Sequence, residues 1–92
     1  MTDSLSATTP TAEAISENLQ EFLLSRTKQA WEPDVDLFAS GVVSSMFAME
    51  LVVYVEKTFD VMVLGEDLAV DNFRTVNKMT GLVLRLSENS GV

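Results

Sequence analysis

The sequence predicts an all-α fold: a small four-helix bundle with three long helices, one short third helix and a long first loop. Three observations lead there. Apolar residues recur at helical spacing over residues 11 to 29. A stretch of fifteen residues, 45 to 59, contains neither Gly nor Pro and follows a capping serine. A third periodic stretch begins at Thr75. The 92 residues, 47% of them apolar, suffice for one core and not for two.

In TAEAISENLQEFLLSRTKQ, Ala12, Ile15, Leu19, Phe22 and Leu23 fall on one helical face, and Glu13, Glu17 and Glu21 on another. Thr9 before Pro10 supplies a start, with proline at the first helical position. Arg26 and Lys28 suit the negative end of the helix dipole, so a helix is expected from about 10 to 28. The connection AWEPDVDLFASGVV has Pro33, two aspartates and Gly41 to break periodicity. Its Trp31, Val35, Leu37 and Phe38 are too apolar for a solvated loop, so it is expected to pack on the core, with DLF as a short helical turn.

In SMFAMELVVYVEKTF the run VVYV alone reads as strand, but the length of the segment and Ser44 as N-cap favour a helix. Leu51, Val55 and Phe59, spaced by four, form its buried stripe. Met46, Phe47, Met49 and Val53 then still need cover, so this helix is either central or presents a surface to a partner. A short helix is expected around 66 to 72 after Gly65. Thr75 caps the last helix, with Val76, Met79, Val83 and Leu86 inward and Arg74, Lys78 and Arg85 as a basic cluster. The domain is expected over 10–87, with 1–9 as a disordered leader and 88–92 frayed; the first ten residues have neither the charge nor the apolar run of a signal peptide.

Composition narrows the function. There is no cysteine, which excludes disulfides, thiolate zinc sites and thiol nucleophiles and fits the cytoplasm. There is no histidine, which removes the usual general base and the commonest metal ligand. Fourteen acids against six bases give a charge of −8, so nucleic acid is a poor partner and a basic protein a better one. DVDLFASG resembles the start of a calcium loop, but Phe38 and Ala39 stand where an oxygen ligand and the turn glycine belong. Ser25 to Lys28 spells S-x-x-K without the other signatures of that chemistry. Ser44 and Ser45 are either a helix cap alone or a cap beside a serine that another enzyme modifies, because a helix N-terminus can hold an attached phosphate.

The order Leu37, Phe38, Gly41, Ser44, Ser45, Met46, then Glu50, Leu51, Val52 and Glu56 to Phe59, resembles the phosphopantetheine attachment region of acyl and peptidyl carrier proteins. Asp67, Leu68, Asn72, Phe73, Thr75 and Val76 match the same family's third helix and the start of its fourth. The resemblance covers roughly residues 10 to 87 and implies a bundle of acyl-carrier type. It implies that Ser45 receives the 4′-phosphopantetheine arm, that Ser44 is the N-cap beside it in place of the usual Asp or Asn, and that Met46 is the apolar residue after the attachment serine. The chain is then no enzyme but a carrier, with the arm taken from coenzyme A and Mg²⁺ supplied through a phosphopantetheinyl transferase. The docking surface would be the second helix, through Met46, Phe47, Met49 and Val53, with Glu50 and Glu56 as charged guides.

SSMFAMELVVYVEKTFDV and EDLAVDNFRTV are most similar to stand-alone carriers that load a three-carbon glyceryl unit for hydroxymalonyl- or methoxymalonyl-type extenders or tetronate rings in polyketide and antibiotic biosynthesis. That implies a glyceryl transferase/phosphatase-type loading enzyme and a dehydrogenase, ketosynthase or acyltransferase downstream. The alternatives are a peptidyl or D-alanyl carrier, and a non-catalytic helical adaptor that binds through the apolar second helix. A monomer, without metal, nucleic acid or membrane, is expected.

Overall fold

A computed structural model describes residues 11–90, which are all-helical with no strand among them. Three α-helices run Ala12–Thr27 (α1), Ser45–Phe59 (α2) and Val76–Ser90 (α3), with two short 3-10 turns, Gly65–Leu68 and Val70–Phe73, between α2 and α3. This is the expected bundle of acyl-carrier type with its long first loop, and its short third element is split in two.

The cap of α1 is Thr11, whose Oγ1 accepts the Ala14 N–H at 3.1 Å. The helix therefore starts at Ala12 rather than at 10; Thr9 and Pro10, read as its start, lie outside the described residues. Lys28 ends it in the left-handed conformation, donating its N–H to the Leu24 carbonyl at 2.8 Å. Ile15, Leu19 and Leu23 are fully buried, whereas Ala12, placed with them by spacing, is exposed, and Phe22 is half-buried toward α2. Trp31 folds back onto the end of α1: its indole N–H donates to Thr27 Oγ1 at 2.9 Å, and the Gln20 amide donates to its carbonyl at 2.7 Å.

α2 resolves the helix-or-strand ambiguity as a helix, because Ser44 and Asp60 cap it and Ala48, Leu51, Val52 and Val55 bury one continuous side. After the left-handed cap at Asp60 burial alternates, with Val61 and Val63 inward and Met62 and the extended Leu64 outward. A single short helix over 66 to 72 does not form. Leu68 and Val70 are exposed, so the segment has no apolar stripe to bury, and helices this short depend on one. Extended Ala69 divides it, and only Phe73 is plugged into the core. In α3, capped as expected by Thr75 Oγ1 on the Lys78 N–H at 3.0 Å, Val76, Met79 and Val83 are buried together with Leu82, which the spacing had not singled out. Leu86 is half-buried. α3 continues to Ser90, into the segment 88–92 set apart from the domain above; the leader 1–9 and residues 91–92 lie outside the described residues.

The long first loop is tied to the start of α3. Leu37 N–H donates to the Arg74 carbonyl at 2.8 Å and Asn77 N–H to the Pro33 carbonyl at 3.0 Å. DLF forms a turn, not a helical segment: Asp36 Oδ1 accepts the N–H groups of Phe38 and Ala39 at 3.0 and 3.2 Å. Asp36 Oδ2 accepts from the Arg74 guanidinium at 3.2 Å, and Arg74 also pairs with Asp71 at 3.0 Å. Leu37 is fully buried and Phe38 half-buried, while Val35 stays exposed.

Two predictions follow from these contacts. Partial burial works to raise the Asp36 carboxyl, but hydrogen bonds from the Ala39 N–H, the Arg74 guanidinium and the Phe38 N–H, with the charge of Arg74, bring it below the ordinary carboxylate range. A carboxyl depressed by folding stabilises the fold above its unfolded value of about 4, and that contribution disappears as pH falls through the lower folded value. Acid titration followed by Trp31 fluorescence is expected to show a loosening below about pH 4 that is reduced in Asp36→Asn. Leu51→Ala, at a fully buried position, is expected to lower stability by about 3 kcal/mol in denaturant titrations.

Candidate functional site

Of the two adjacent serines, Ser44 is the cap. It is extended (φ −94°, ψ 169°), its Oγ accepts the Phe47 N–H at 3.2 Å, and its carbonyl accepts the Ala48 N–H at 3.1 Å. Ser45 is the first residue of α2 and is exposed. The approach to them is set by Gly41, whose φ of +82° lies where glycine is favoured and whose N–H closes a turn onto the Phe38 carbonyl at 3.2 Å. Val43, only 2% exposed, then anchors the chain in the core just before the helix begins.

The electrostatics at this end of α2 are simple. The N–H groups of Ser45 and Met46 belong to the first turn, where no carbonyl four residues back lies within the helix, and the first turn contains no acid. The dipole of α2 therefore faces Ser45 with its positive end, and no acid of the first turn offsets it. With no histidine in the chain, no imidazole base is available, and among the described residues no group of three acids stands where it could hold a metal ion. The arrangement leaves the Ser45 hydroxyl exposed at the head of α2.

Below Ser45, Met46, Met49 and Val53 point outward, 82%, 64% and 47% exposed. Phe47, grouped with them from the sequence, differs: it is half-buried, and its ring stacks on Phe22 of α1 with centroids 6.1 Å apart. Phe22 also stacks on Tyr54 at 3.9 Å, and the Tyr54 hydroxyl donates to the Asn18 side-chain oxygen. Arg26 lies 5.1 Å over the Phe22 ring and pairs with Glu50 at 2.7 Å. An open groove of about 700 Å³ runs along this α1–α2 seam, lined by Phe22, Met49, Val53 and Tyr54, with Lys57 among its charged residues.

The two acids expected as charged guides both have partners within the chain. Glu50 is held by Arg26, and Glu56 accepts the Val63 N–H at 2.9 Å, closing the connection after α2. Of the basic residues expected to cluster on the last helix, Arg74 pairs with Asp71 and Asp36 and Arg85 with Asp67, while Lys78 is exposed. Sequence reasoning missed the share of α1 in this surface. The signal was present in Phe22 and Arg26, four residues apart and so on one side of the helix, beside the buried stripe.

No family model matches the chain, and no solved structure matches it significantly. Among curated proteins it is similar to the D-alanyl carrier proteins of Streptococcus sanguinis, Streptococcus gordonii and Streptococcus thermophilus. Each is 40% identical to it over 53 residues, which is 58% of this chain and 67% of theirs. Among the described residues no helix is long and apolar enough to cross a membrane. With that identity across two thirds of these relatives, and with an all-helical bundle of the corresponding type, the chain belongs to the family of small carrier proteins of the phosphopantetheine type.

Proposed function

We propose that the chain carries a small aminoacyl unit of the D-alanyl kind, as a thioester on a phosphopantetheine arm attached to Ser45. The observation that supports it best is local: Ser45 is an exposed hydroxyl at the first position of α2, next to a serine already committed to capping. Its surroundings suit a phosphodiester, since free first-turn amides and the positive end of the dipole are present and no acid of the first turn is. When bound, the arm supplies the thiol that the chain lacks. The relatives are named D-alanyl carriers, so the aminoacyl cargo takes precedence over the glyceryl unit and polyketide setting suggested by the run from Phe47 to Val52.

In the priming step Ser45 Oγ forms a bond to the pantetheine-side phosphorus of coenzyme A. The bond from that phosphorus to the bridging oxygen breaks and adenosine 3′,5′-bisphosphate leaves. The hydroxyl proton passes to a base of the transferase, because this chain has no histidine to receive it. The Ser44 side chain holds the first turn through the Phe47 amide, and the Met46–Met49–Val53 face is open to the partner enzyme.

Intact mass after incubation with coenzyme A, Mg²⁺ and a broad-specificity phosphopantetheinyl transferase is expected to rise by one phosphopantetheine. The gain is expected to persist in Ser44→Ala, at a stability cost of about 1 kcal/mol, and to vanish in a folded Ser45→Ala. An unmodified parent beside a primed control carrier would overturn the attachment and favour a helical adaptor. Loading of the primed protein with D-alanine by an ATP-dependent activating enzyme, against loading with a glyceryl unit, decides the cargo; D-alanyl product is expected.

The ion pair of Glu50 with Arg26 also bears on docking. Transfer of the arm is expected to change by less than about threefold between low and physiological ionic strength, because α2 has only two acids, one of them ion-paired, beside the base Lys57, and so steers encounter weakly. A drop of tenfold or more would show that acids elsewhere on the surface guide the partner.

A further inference from the structure

We propose that Phe47 is a positioning residue for the chemistry at Ser45, acting as the ring that fixes the first turn of α2 against α1. The inference rests on the attachment reading above and concerns how the hydroxyl is presented. Phe47 takes part in two restraints at once. Its N–H is the group that the Ser44 cap engages, at 3.2 Å, and its ring stacks on Phe22 at 6.1 Å with the planes only 14° apart. Backbone cap and side-chain anchor therefore meet in one residue, two positions beyond Ser45.

The ring that Phe47 rests on has two further partners, one of them ion-paired to α2. Tyr54 stacks against Phe22 at 3.9 Å, Arg26 lies over it at 5.1 Å, and the Arg26–Glu50 pair at 2.7 Å bridges α1 to α2 beside it. Tyr54 is in turn hydrogen-bonded to Asn18 of α1. On the other side of the turn, Val43 and Ala48 are buried in the core. Val42, Ser44, Ser45 and Met46 are all exposed, so the turn is pinned by Val43 and Ala48 from the core side and by Phe47 from the α1 side. Without the aromatic anchor, the first turn would sample frayed states in which Ser45 points elsewhere. A substrate competent for only a fraction of the time has its apparent affinity reduced by that fraction, and loss of orientation slows the step itself.

The test compares Phe47→Ala, Phe47→Tyr and Phe22→Leu with Val83→Ala, which removes volume from the α3 side of the core. Priming by the transferase with coenzyme A and Mg²⁺ is measured as kcat/KM at a temperature where all variants are folded. Amide exchange of Ser45 to Ala48 is measured on the unmodified proteins. Phe47→Ala is expected to lose roughly tenfold in kcat/KM and to exchange those amides faster. Phe22→Leu is expected to move the same way, while Phe47→Tyr, which keeps the ring, stays within about twofold of the parent. Val83→Ala is expected to lower the melting temperature and leave both readouts near the parent. Equal priming losses in Phe47→Ala and Val83→Ala would overturn the positioning role and leave the attachment site standing, as would unchanged exchange in Phe47→Ala. A parent that takes no arm beside a primed control carrier would overturn the attachment site, and the positioning role with it.

Discussion

α2 is apolar on most of its circumference, and a helix in a bundle this small can hide only part of itself. That constraint organises the molecule. The side containing Ala48, Leu51, Val52 and Val55 is buried in the common core with Ile15, Leu19 and Leu23 of α1 and Val76, Met79 and Val83 of α3. The flank facing α1 is covered by aromatic stacking through Phe22 and Tyr54 instead of by aliphatic packing. What is left, Met46, Met49 and Val53, stays in water. Burying a single leucine or valine is worth about 1.5 to 3 kcal/mol, so the bundle has reason to cover whatever it can reach. The uncovered remainder is thus set by geometry, and it lies on the helix that begins with Ser45.

The rest of the chain serves to hold that helix in place. The first loop contributes Leu37 and Trp31 to the core and is stitched to the start of α3 by two backbone bonds, with Arg74 bridging Asp36 and Asp71. After α2, Glu56 closes the return path through the Val63 amide. The last 3-10 turn inserts Phe73 into the core, where it packs on α2 and α3. The loop that leads into Ser44 and the turn that follows α2 are both fixed at their far ends, and α2 is held between them.

Much of this was legible in the residues. The period-four stripe of Leu51 and Val55 outweighed the strand-like VVYV, since the buried side of the helix continues through it. Thr75 and Ser44 announced their caps because a hydroxyl before an apolar periodic run has few other uses at that position. What stayed hidden depended on partners distant in sequence. Arg74 and Arg85 read as a basic cluster with Lys78 because spacing along a chain says nothing of Asp36 or Asp67 waiting across the fold. Glu50 and Glu56 looked free for the same reason. Phe47 was placed among the outward residues because the helical period puts it near the boundary, and only Phe22 on another helix decides which way that boundary falls. The split of the short third element came from the exposure of Leu68 and Val70, which no local propensity specified.

The alternating stretch after α2 has a consequence for the behaviour of many copies of the molecule together. Val61 to Leu64 alternate inward and outward like a strand, and the outward pair, Met62 and Leu64, is apolar and exposed. A segment of that kind is a template onto which a second chain can add edge to edge. Here it is short, it is bracketed by Asp60 and Glu66, and the whole chain carries a charge of −8. Acids at both ends act as gatekeepers, since a copy that pairs there brings its own carboxylates against them. The surplus of negative charge thus gives copies of the molecule a mutual repulsion that acts at this exposed apolar stretch as well.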